Sequence, residues 1–430
     1  MNMTEIQESL LDQNPWWKGP FKTAFRHRDI HAEIQKYLAL PQILAFTGLR
    51  RVGKTTLMLK IAEDAIQAGL DAKNVVYFSF DEFKGTELRR LVSEYEDLME
   101  RDFRNGKYLL LLDEIQKLEN WENQLKGIYD TFGKSIKIIV SGSESLFIRR
   151  KSKETLAGRI FSFKVQPLSF REFLSFRGAS MKPQGLYQKE LSRLLDEYLL
   201  TLGFPELLNV KDKEIIRKYI KEAIVEKVIF RDMQQLFKIR DISLIESLLN
   251  IFMDEPGQLT ALPDLSKELG VSRQTLSSYL TYLEESFLIR KSYNYSRNRR
   301  KTERKLKKYY PAIISAELLF REDDISKGKV FEWLIVTQLS AEYFWRDPYK
   351  NEVDMVLAGD KPMPVEIKYG KTDFKGVLAF MKKFKVDEGM IITKNLEQKH
   401  AIDGKKISVM PAFKFLLREQ LPANTTQTRQ

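Results

Sequence analysis

Gly48-Leu49-Arg50-Arg51-Val52-Gly53-Lys54-Thr55-Thr56 fits the pattern G-x-x-x-x-G-K-[ST] in full, and its surroundings decide the fold. The short apolar run Ile43-Leu44-Ala45-Phe46-Thr47 before it reads as a strand, and Leu57 to Ala62 after it is spaced like a helix. A loop between a strand and a helix turns consecutive backbone N–H groups and a helix N-terminus toward one place, where a polyphosphate can sit. Gly48 and Gly53 allow the backbone angles and the close approach, Lys54 reaches the β/γ-phosphates, and the Thr55 hydroxyl is a magnesium ligand. An ordinary glycine-containing turn would lack the Lys-Thr pair in this context. The stretch therefore predicts ATP binding with Mg²⁺, with residues 48–56 as the cradle.

Hydrolysis needs an acid from a second strand. Tyr108-Leu109-Leu110-Leu111-Leu112-Asp113-Glu114 is too short to span a membrane and reads as a buried parallel strand ending in two carboxylates. Asp113 is expected to hold magnesium through water, and Glu114 to polarise or orient the attacking water. A third strand, Ile136 to Val140, ends in Ser141-Gly142-Ser143. Ser141 is a candidate γ-phosphate sensor, the alternative being a plain polar strand end. Arg159, with Arg149 and Arg150 nearby, could neutralise charge on the transferred phosphoryl group, in cis or from a neighbouring subunit; many arginines on a basic chain are simply solvated. An arginine acting in trans implies a homo-oligomer, a hexameric ring being one such assembly.

The 430 residues suffice for two to four domains, and 43% hydrophobic content fits a soluble globular protein. No apolar stretch is long enough for a bilayer and the N-terminus lacks a signal-peptide pattern, so no membrane partner and a cytoplasmic location are expected. With no cysteine, disulfides and thiolate zinc sites are excluded, and only His27, His31 and His400 remain for imidazole ligation. Any metal is then a hard cation on carboxylates. A formal charge of +12 suits a polyanionic partner, although scattered lysines give the same total.

The fold class expected is α/β: a P-loop NTPase parallel-sheet core with a helical lid, a winged helix-turn-helix and a C-terminal α/β domain. Residues 1–182 hold a lead-in and the core, where strands and helices alternate. In the lead-in, Trp16 and Trp17 either cover an adenine ring or pack on the core. Residues 183–240 are mostly helical and read as the lid, and 241–312 as the winged unit. There, Leu262 to Leu280 reads as helix, Gly270 turn, and a second helix capped by Ser272. Ser272, Arg273 and Gln274 at its start suit contacts with DNA, although such units also serve as protein–protein spacers. The densest basic run follows, with Arg297, Arg299, Arg300, Lys301, Arg304, Lys305, Lys307 and Lys308, and Glu303 as its acid. Tyr293, Tyr295, Tyr309 and Tyr310 flank it and could stack on bases. Residues 313–420 form the last domain, and 421–430 a disordered tail.

That last domain carries a second constellation. Asp354 is followed twelve residues later by Glu366-Ile367-Lys368, the D…E-x-K spacing of metal-dependent nucleases. Strand alternation puts Glu366 and Lys368 on one face, and a hairpin partner can bring Asp354 to them. Asp354 and Glu366, with Glu332 from a preceding helix, would hold Mg²⁺ or Mn²⁺, while Lys368 positions or activates water. Alternating acids and lysines are common on exposed hairpins; here apolar Val353, Met355, Val365 and Ile367 surround them.

Over almost its whole length the chain resembles archaeal and bacterial AAA-type ATPases of the STAND group (MNS-like branch). The resemblance rests on Gly48 to Thr55, Asp113-Glu114, Ser141-Gly142-Ser143, Ala157-Gly158-Arg159, Gly203-Phe204-Pro205, Arg231-Asp232 and the 332/354/366/368 set. It departs at Leu202, where a first glycine often precedes Gly-Phe-Pro, and at Pro311-Ala312, where an Asp is frequent. The resemblance implies a P-loop core coupled to a lid, a winged helix and a PD-(D/E)xK nuclease-like domain, an α/β domain of restriction-endonuclease-like type. The expected function is ATP-driven DNA processing with metal-dependent cleavage of duplex or branched DNA. The alternative is an ATP-driven switch or DNA-binding regulator whose nuclease fold does not cut.

Overall fold

A computed structural model describes residues 3–83, 86–133, 135–142, 154–227, 239, 241–298, 300, 302 and 306–418. The chain divides into two compact units after Leu168.

In the first unit, a five-stranded parallel sheet has the order β2-β3-β4-β1-β5. Its strands are β1 (Ile43–Thr47), β2 (Val75–Ser79), β3 (Tyr108–Asp113), β4 (Ile136–Ser141) and β5 (Ile160–Lys164). Every residue of β1 and β3 is buried, as the unbroken apolar runs require when helices cover both faces. The covering helices include α3 (Lys54–Gln67), α4 (Leu88–Met99) and α5 (Trp121–Phe132). Residues from β2, β3, β4, α4 and α5 form one continuous apolar core.

The lead-in manages the open sheet edge at β2. Helix α1 (Glu5–Gln13) starts with a Thr4 capping box. Beyond it, buried Asn14 mimics a neighbouring strand: its amide accepts from Tyr77 N (2.7 Å) and donates to Tyr77 O (2.8 Å). Gln13 accepts from Ser79 N, and the indoles of Trp16 and Trp17 both donate to Val75 O at 2.9 Å. Outward-facing backbone groups of an edge strand are thus bonded to side chains rather than left to pair with another chain. The Trp pair packs at the start of β2, at the opposite end of the sheet from the nucleotide loop.

The second unit holds two more five-stranded sheets, β10-β9-β7-β8-β6 and β11-β12-β13-β15-β14. Helix Ile242–Asp254 leads into β6 (Gln258–Thr260), and helices Leu262–Glu268 and Arg273–Glu285 precede β7 (Ile289–Asn294) and β8 (Lys307–Pro311). Then come helix Asp324–Gln338, β9 (Tyr343–Arg346), β10 (Glu352–Val353), β11 (Met355–Leu357), β12 (Met363–Lys368) and helix Lys375–Phe384. β13 (Glu388–Thr393), β14 (Gln398–Ile402) and β15 (Lys405–Pro411) complete the last sheet.

Contacts cross two of the expected divisions. Helix Phe170–Phe176 falls in the second compact unit, where Phe170 and Phe173 pack on Tyr198 (ring centroids 5.6 and 5.3 Å). Pairing also crosses position 312. β9 pairs in parallel with β7, and the Trp333 indole donates to Pro311 O at 2.8 Å. The expected tail lies outside the described residues.

Candidate functional site

In the first unit the loop from β1 into α3 is held by its own side chains. Leu49 and Val52 are buried anchors, Arg51 and Gly53 take positive φ (65° and 97°), and the Lys54 ammonium donates to Gly48 O (2.9 Å) and Leu49 O (3.0 Å). Arg50 is half-buried; Thr55 and Thr56 lie on the exposed side of the first turn of α3. Gly48 has φ 153°, and a Cβ there would lie 2.3 Å from Val165 O, so the loop passes β5 too closely for any other residue.

Asp113 is the hub beside this loop. Its Oδ2 accepts from the Thr55 hydroxyl at 2.6 Å and from the Tyr77 hydroxyl at 2.9 Å; its Oδ1 accepts from Ser141 and from Glu114 N (3.1 Å). The strand order explains this convergence, since β4 lies between β1 and β3 and all three end at the same edge. Burial, and then the nearby Asp113 carboxylate, push the Tyr77 phenol far above its ordinary range, so it stays a donor. Glu114 sits just past the strand at φ 54°, with its carboxylate accepting from Gln116 at 2.5 Å.

Arg159 lies elsewhere. Its carbonyl accepts from Ile43 N at the start of β1, and its guanidinium pairs with Asp130 at 3.1 Å. The nucleotide loop leaves the other end of β1, five residues or roughly 17 Å away at about 3.3 Å per residue. Action in cis on the γ-phosphate is therefore ruled out by sheet geometry. Ser143, Arg149, Arg150, Arg231 and Asp232 lie outside the described residues.

Arg28 escaped the sequence reading. Its buried guanidinium donates to Val52 O (2.9 Å) and Gln166 O (2.7 Å), tying the lead-in to the loop and to the residues after β5. Only tertiary pairing distinguishes it from neighbouring Arg26.

In the second unit, Ser272, Arg273 and Gln274 are exposed at the start of helix Arg273–Glu285, where the Ser272 hydroxyl accepts from Thr275 N at 3.0 Å. Arg297 and Arg300 are exposed, and Arg297 also donates to Phe384 O at 2.8 Å. Arg299, Lys301, Glu303, Arg304 and Lys305 lie outside the described residues. The expectation of flanking stacking tyrosines is corrected for two of the four, because Tyr309 and Tyr310 are 2% and 1% exposed. Tyr295 packs on Phe384, with centroids 5.2 Å apart.

The end of the basic run is also not a solvated arm. Lys308 is buried on β8, and its ammonium lies 2.7 Å from Glu352, 3.4 Å from Glu332 and 3.9 Å from Asp354. The Tyr310 hydroxyl, two residues along the same face, donates to Glu332 at 2.7 Å. Arg346 also pairs with Glu352, at 2.5 Å. The Asp354 carboxylate accepts from Ile367 N at 2.8 Å, Glu366 pairs with Lys368 at 2.7 Å, and Met355 stands opposite Val365 in the β11–β12 ladder. Glu332, Asp354, Glu366 and Lys368 are therefore gathered in one pocket, together with Lys308, Glu352 and Tyr310. Burial, then Glu332 and Glu366, hold the Asp354 carboxyl well above its usual range, and burial likewise raises Glu366. Burial opposes the charge of Lys308, but Glu332, Tyr310, Asp354 and Glu352 outweigh it and its pKa is raised. The alternation Lys308–Tyr310 and Glu352–Asp354 was the available sequence signal, hidden for Lys308 by its basic neighbours.

Does this pocket fit a divalent metal? Among the described residues no three carboxylate or imidazole side chains converge as ligands. The ammonium of Lys308 sits among three of the four acids, and that of Lys368 holds the fourth. As arranged, the residues do not fit a divalent ion.

Residues 40–174 match a family model described as an AAA domain; residues 192–312 and 327–415 match two models described as domains of unknown function, DUF8612 and DUF4143. The chain is 26% identical over 418 residues to the uncharacterized protein MJ1637 of Methanocaldococcus jannaschii, covering 87% of this chain and 86% of that one. It is 25% identical over 453 aligned residues to MJ1544 of the same organism, covering 96% and 95%. A Thermotoga maritima RuvB structure covers 61% of this chain and 89% of its own, at 16% identity and a TM-score of 0.30. The class that fold and loop define is an α/β P-loop protein, whose residues 40–174 resemble an AAA domain. No helix among the described residues is long and apolar enough to cross a membrane.

Proposed function

We propose that this chain is an ATP-hydrolysing, DNA-binding protein in which the nucleotide cycle of the first unit controls the second. The observation that carries the reading is the Thr55 hydroxyl held 2.6 Å from the Asp113 carboxylate at the first turn of α3, beside the Lys54 ammonium. The oxygen donors of Thr55 and Asp113 fit magnesium, and a bound Mg²⁺ would supply charge neutralisation at the β- and γ-phosphates. The loop N–H groups of residues 48–55 bind the polyphosphate. Glu114 orients the attacking water and Ser141 stands where the γ-phosphate is read. Arg159, if it takes part, acts from a neighbouring copy in a homo-oligomer.

DNA is the partner that best suits the exposed Ser272, Arg273 and Gln274 at a helix N-terminus together with exposed Arg297 and Arg300. Placement of Lys308 favours a pocket that does not cut, and thus a nucleotide-driven switch. The second reading, metal-dependent cleavage, is favoured by one observation: among the described residues, buried Glu366 Oε2 has no hydrogen-bond partner, as an acid awaiting a cation would.

Glu114→Gln is expected to lower ATP turnover at least a hundredfold while nucleotide still binds; wild-type turnover would remove Glu114 from the chemistry. Plasmid, single-stranded and branched DNA incubated with ATP and Mn²⁺ should remain intact. Cutting that disappears in Glu366→Ala would establish the second reading instead.

A further inference from the structure

The acids of the second unit and the strand that reaches into them belong to different parts of the sequence. β8 pairs with β6 and β7 and delivers Lys308, with its ammonium 5.4 Å from the centroid of the Phe344 ring, into acids supplied by helix Asp324–Gln338 and by the β10–β11 segment. A buried ammonium costs several kcal/mol unless paired, and a buried cluster of carboxylates costs at least as much unless a cation stands among them. Here each requirement is met by the other. Four carboxylates (Glu332, Glu352, Asp354 and Glu366) face three cations (Lys308, Arg346 and Lys368), so the pocket is nearly neutral with protein groups alone.

We propose that Lys308 is the resident cation of this pocket, standing where a divalent ion would otherwise be needed, and that the pocket becomes a divalent-metal site once that ammonium is removed. The distances favour a place-holder over an ordinary surface pair. The ammonium contacts carboxylates from two elements, and only its link to Glu352 is short, so the side chain bridges the cluster rather than closing on one partner. Lys368, by contrast, forms its ion pair within its own strand, with Glu366. Glu366 Oε2, buried and without a hydrogen-bond partner among the described residues, is the acceptor a metal would gain. The inference deepens the reading of the pocket as one that does not cut; it is independent of whether the second unit binds DNA or the first hydrolyses ATP.

The test uses the full chain without nucleotide, titrated with Mn²⁺ alone and followed by electron paramagnetic resonance. Asp354→Asn serves to assign a site to this pocket. The wild type is expected to show no Asp354-dependent Mn²⁺ site at millimolar metal. Lys308→Met should gain one, at least tenfold tighter than any Asp354-dependent binding in the wild type, and the double variant with Asp354→Asn should lose it. Lys308→Arg, which keeps the charge, should behave as wild type. An Asp354-dependent site in the wild type that Lys308→Met does not tighten would overturn the proposal. Should Lys308→Met fail to melt cooperatively, Lys308→Gln, which also removes the charge, takes its place: an Asp354-dependent site gained there supports the proposal, and no such site in the folded variant overturns it. ATP turnover and DNA retention measured separately report on the broader function, so their failure is distinguishable from this one.

Discussion

Replacing Gly48 and Gly53 by alanine should separate two reasons for which one loop needs glycine. At Gly48 the new Cβ would lie 2.3 Å from Val165 O and 3.3 Å from Val52 Cγ2. Ordinary contact begins about 1 Å farther out, and the obstacle is backbone, so either the loop or the end of β5 must move. Moving β5 endangers the Val165 N–Thr47 O hydrogen bond, 2.7 Å long, which closes the β1–β5 ladder. Overpacking of this kind costs about 1–3 kcal/mol. A lost hydrogen bond adds about 1 kcal/mol, and the glycine-favoured φ about 1 kcal/mol. The sum, about 3–5 kcal/mol, corresponds to a melting point roughly 10 °C lower for a unit of this size. At Gly53 the Cβ meets nothing nearer than Arg28 Nη1 at 3.7 Å, so only the φ of 97° is penalised. That is about 1 kcal/mol, or roughly 3 °C. The assay is thermal unfolding without nucleotide, followed by near-ultraviolet circular dichroism. Equal shifts for the two variants, or a larger one for Gly53→Ala, would refute the steric argument.

Two further outcomes follow from the same coordinates. Arg28→Ala removes two hydrogen bonds from a buried guanidinium to Val52 O and Gln166 O; stability should fall by about 2–3 kcal/mol, and a fluorescent ATP analogue should bind roughly tenfold more weakly as the loop loosens. Unchanged affinity would make Arg28 a purely structural tie. Lys308 and Lys368 are both held above the ordinary lysine value of 10.5 by their acid partners, despite burial. The folded chain thus binds these protons more tightly than the unfolded one. Their stabilisation is complete below pH 10.5 and is lost as pH rises through the raised values. Urea midpoints between pH about 9 and about 11.5 should fall more steeply for the wild type than for Lys368→Met, and parallel curves would contradict the pairing.

The nucleotide loop was legible because its chemistry is local. Gly48 to Thr56 are consecutive, and the apolar runs that become β1, β3 and β4 read as buried strands without knowledge of their neighbours. Glu366 and Lys368 were equally legible, since alternation along one strand fixes their common face. What could not be read is pairing between distant elements. Lys308 looked like one more member of a basic run, and its alternation with Tyr310 does not by itself say that β8 turns it toward acids from residues 332–354. Arg159 stood at a plausible distance along the chain from the loop, yet parallel pairing of β5 with β1 puts it at the far edge of the sheet.

The sequence by itself determined the α/β class of the first unit, the P-loop motif and the carboxylate-ended strand beside it, because backbone propensity, side-chain period and motif spacing act over a few residues. Tertiary structure alone decided that Asn14 and the tryptophans seal the β2 edge, that Arg28 braces the loop, and that the acids of the second unit enclose an ammonium. The physical reason is that burial and charge pairing are set by strand order and register, which join residues far apart in the sequence or send neighbours to opposite faces.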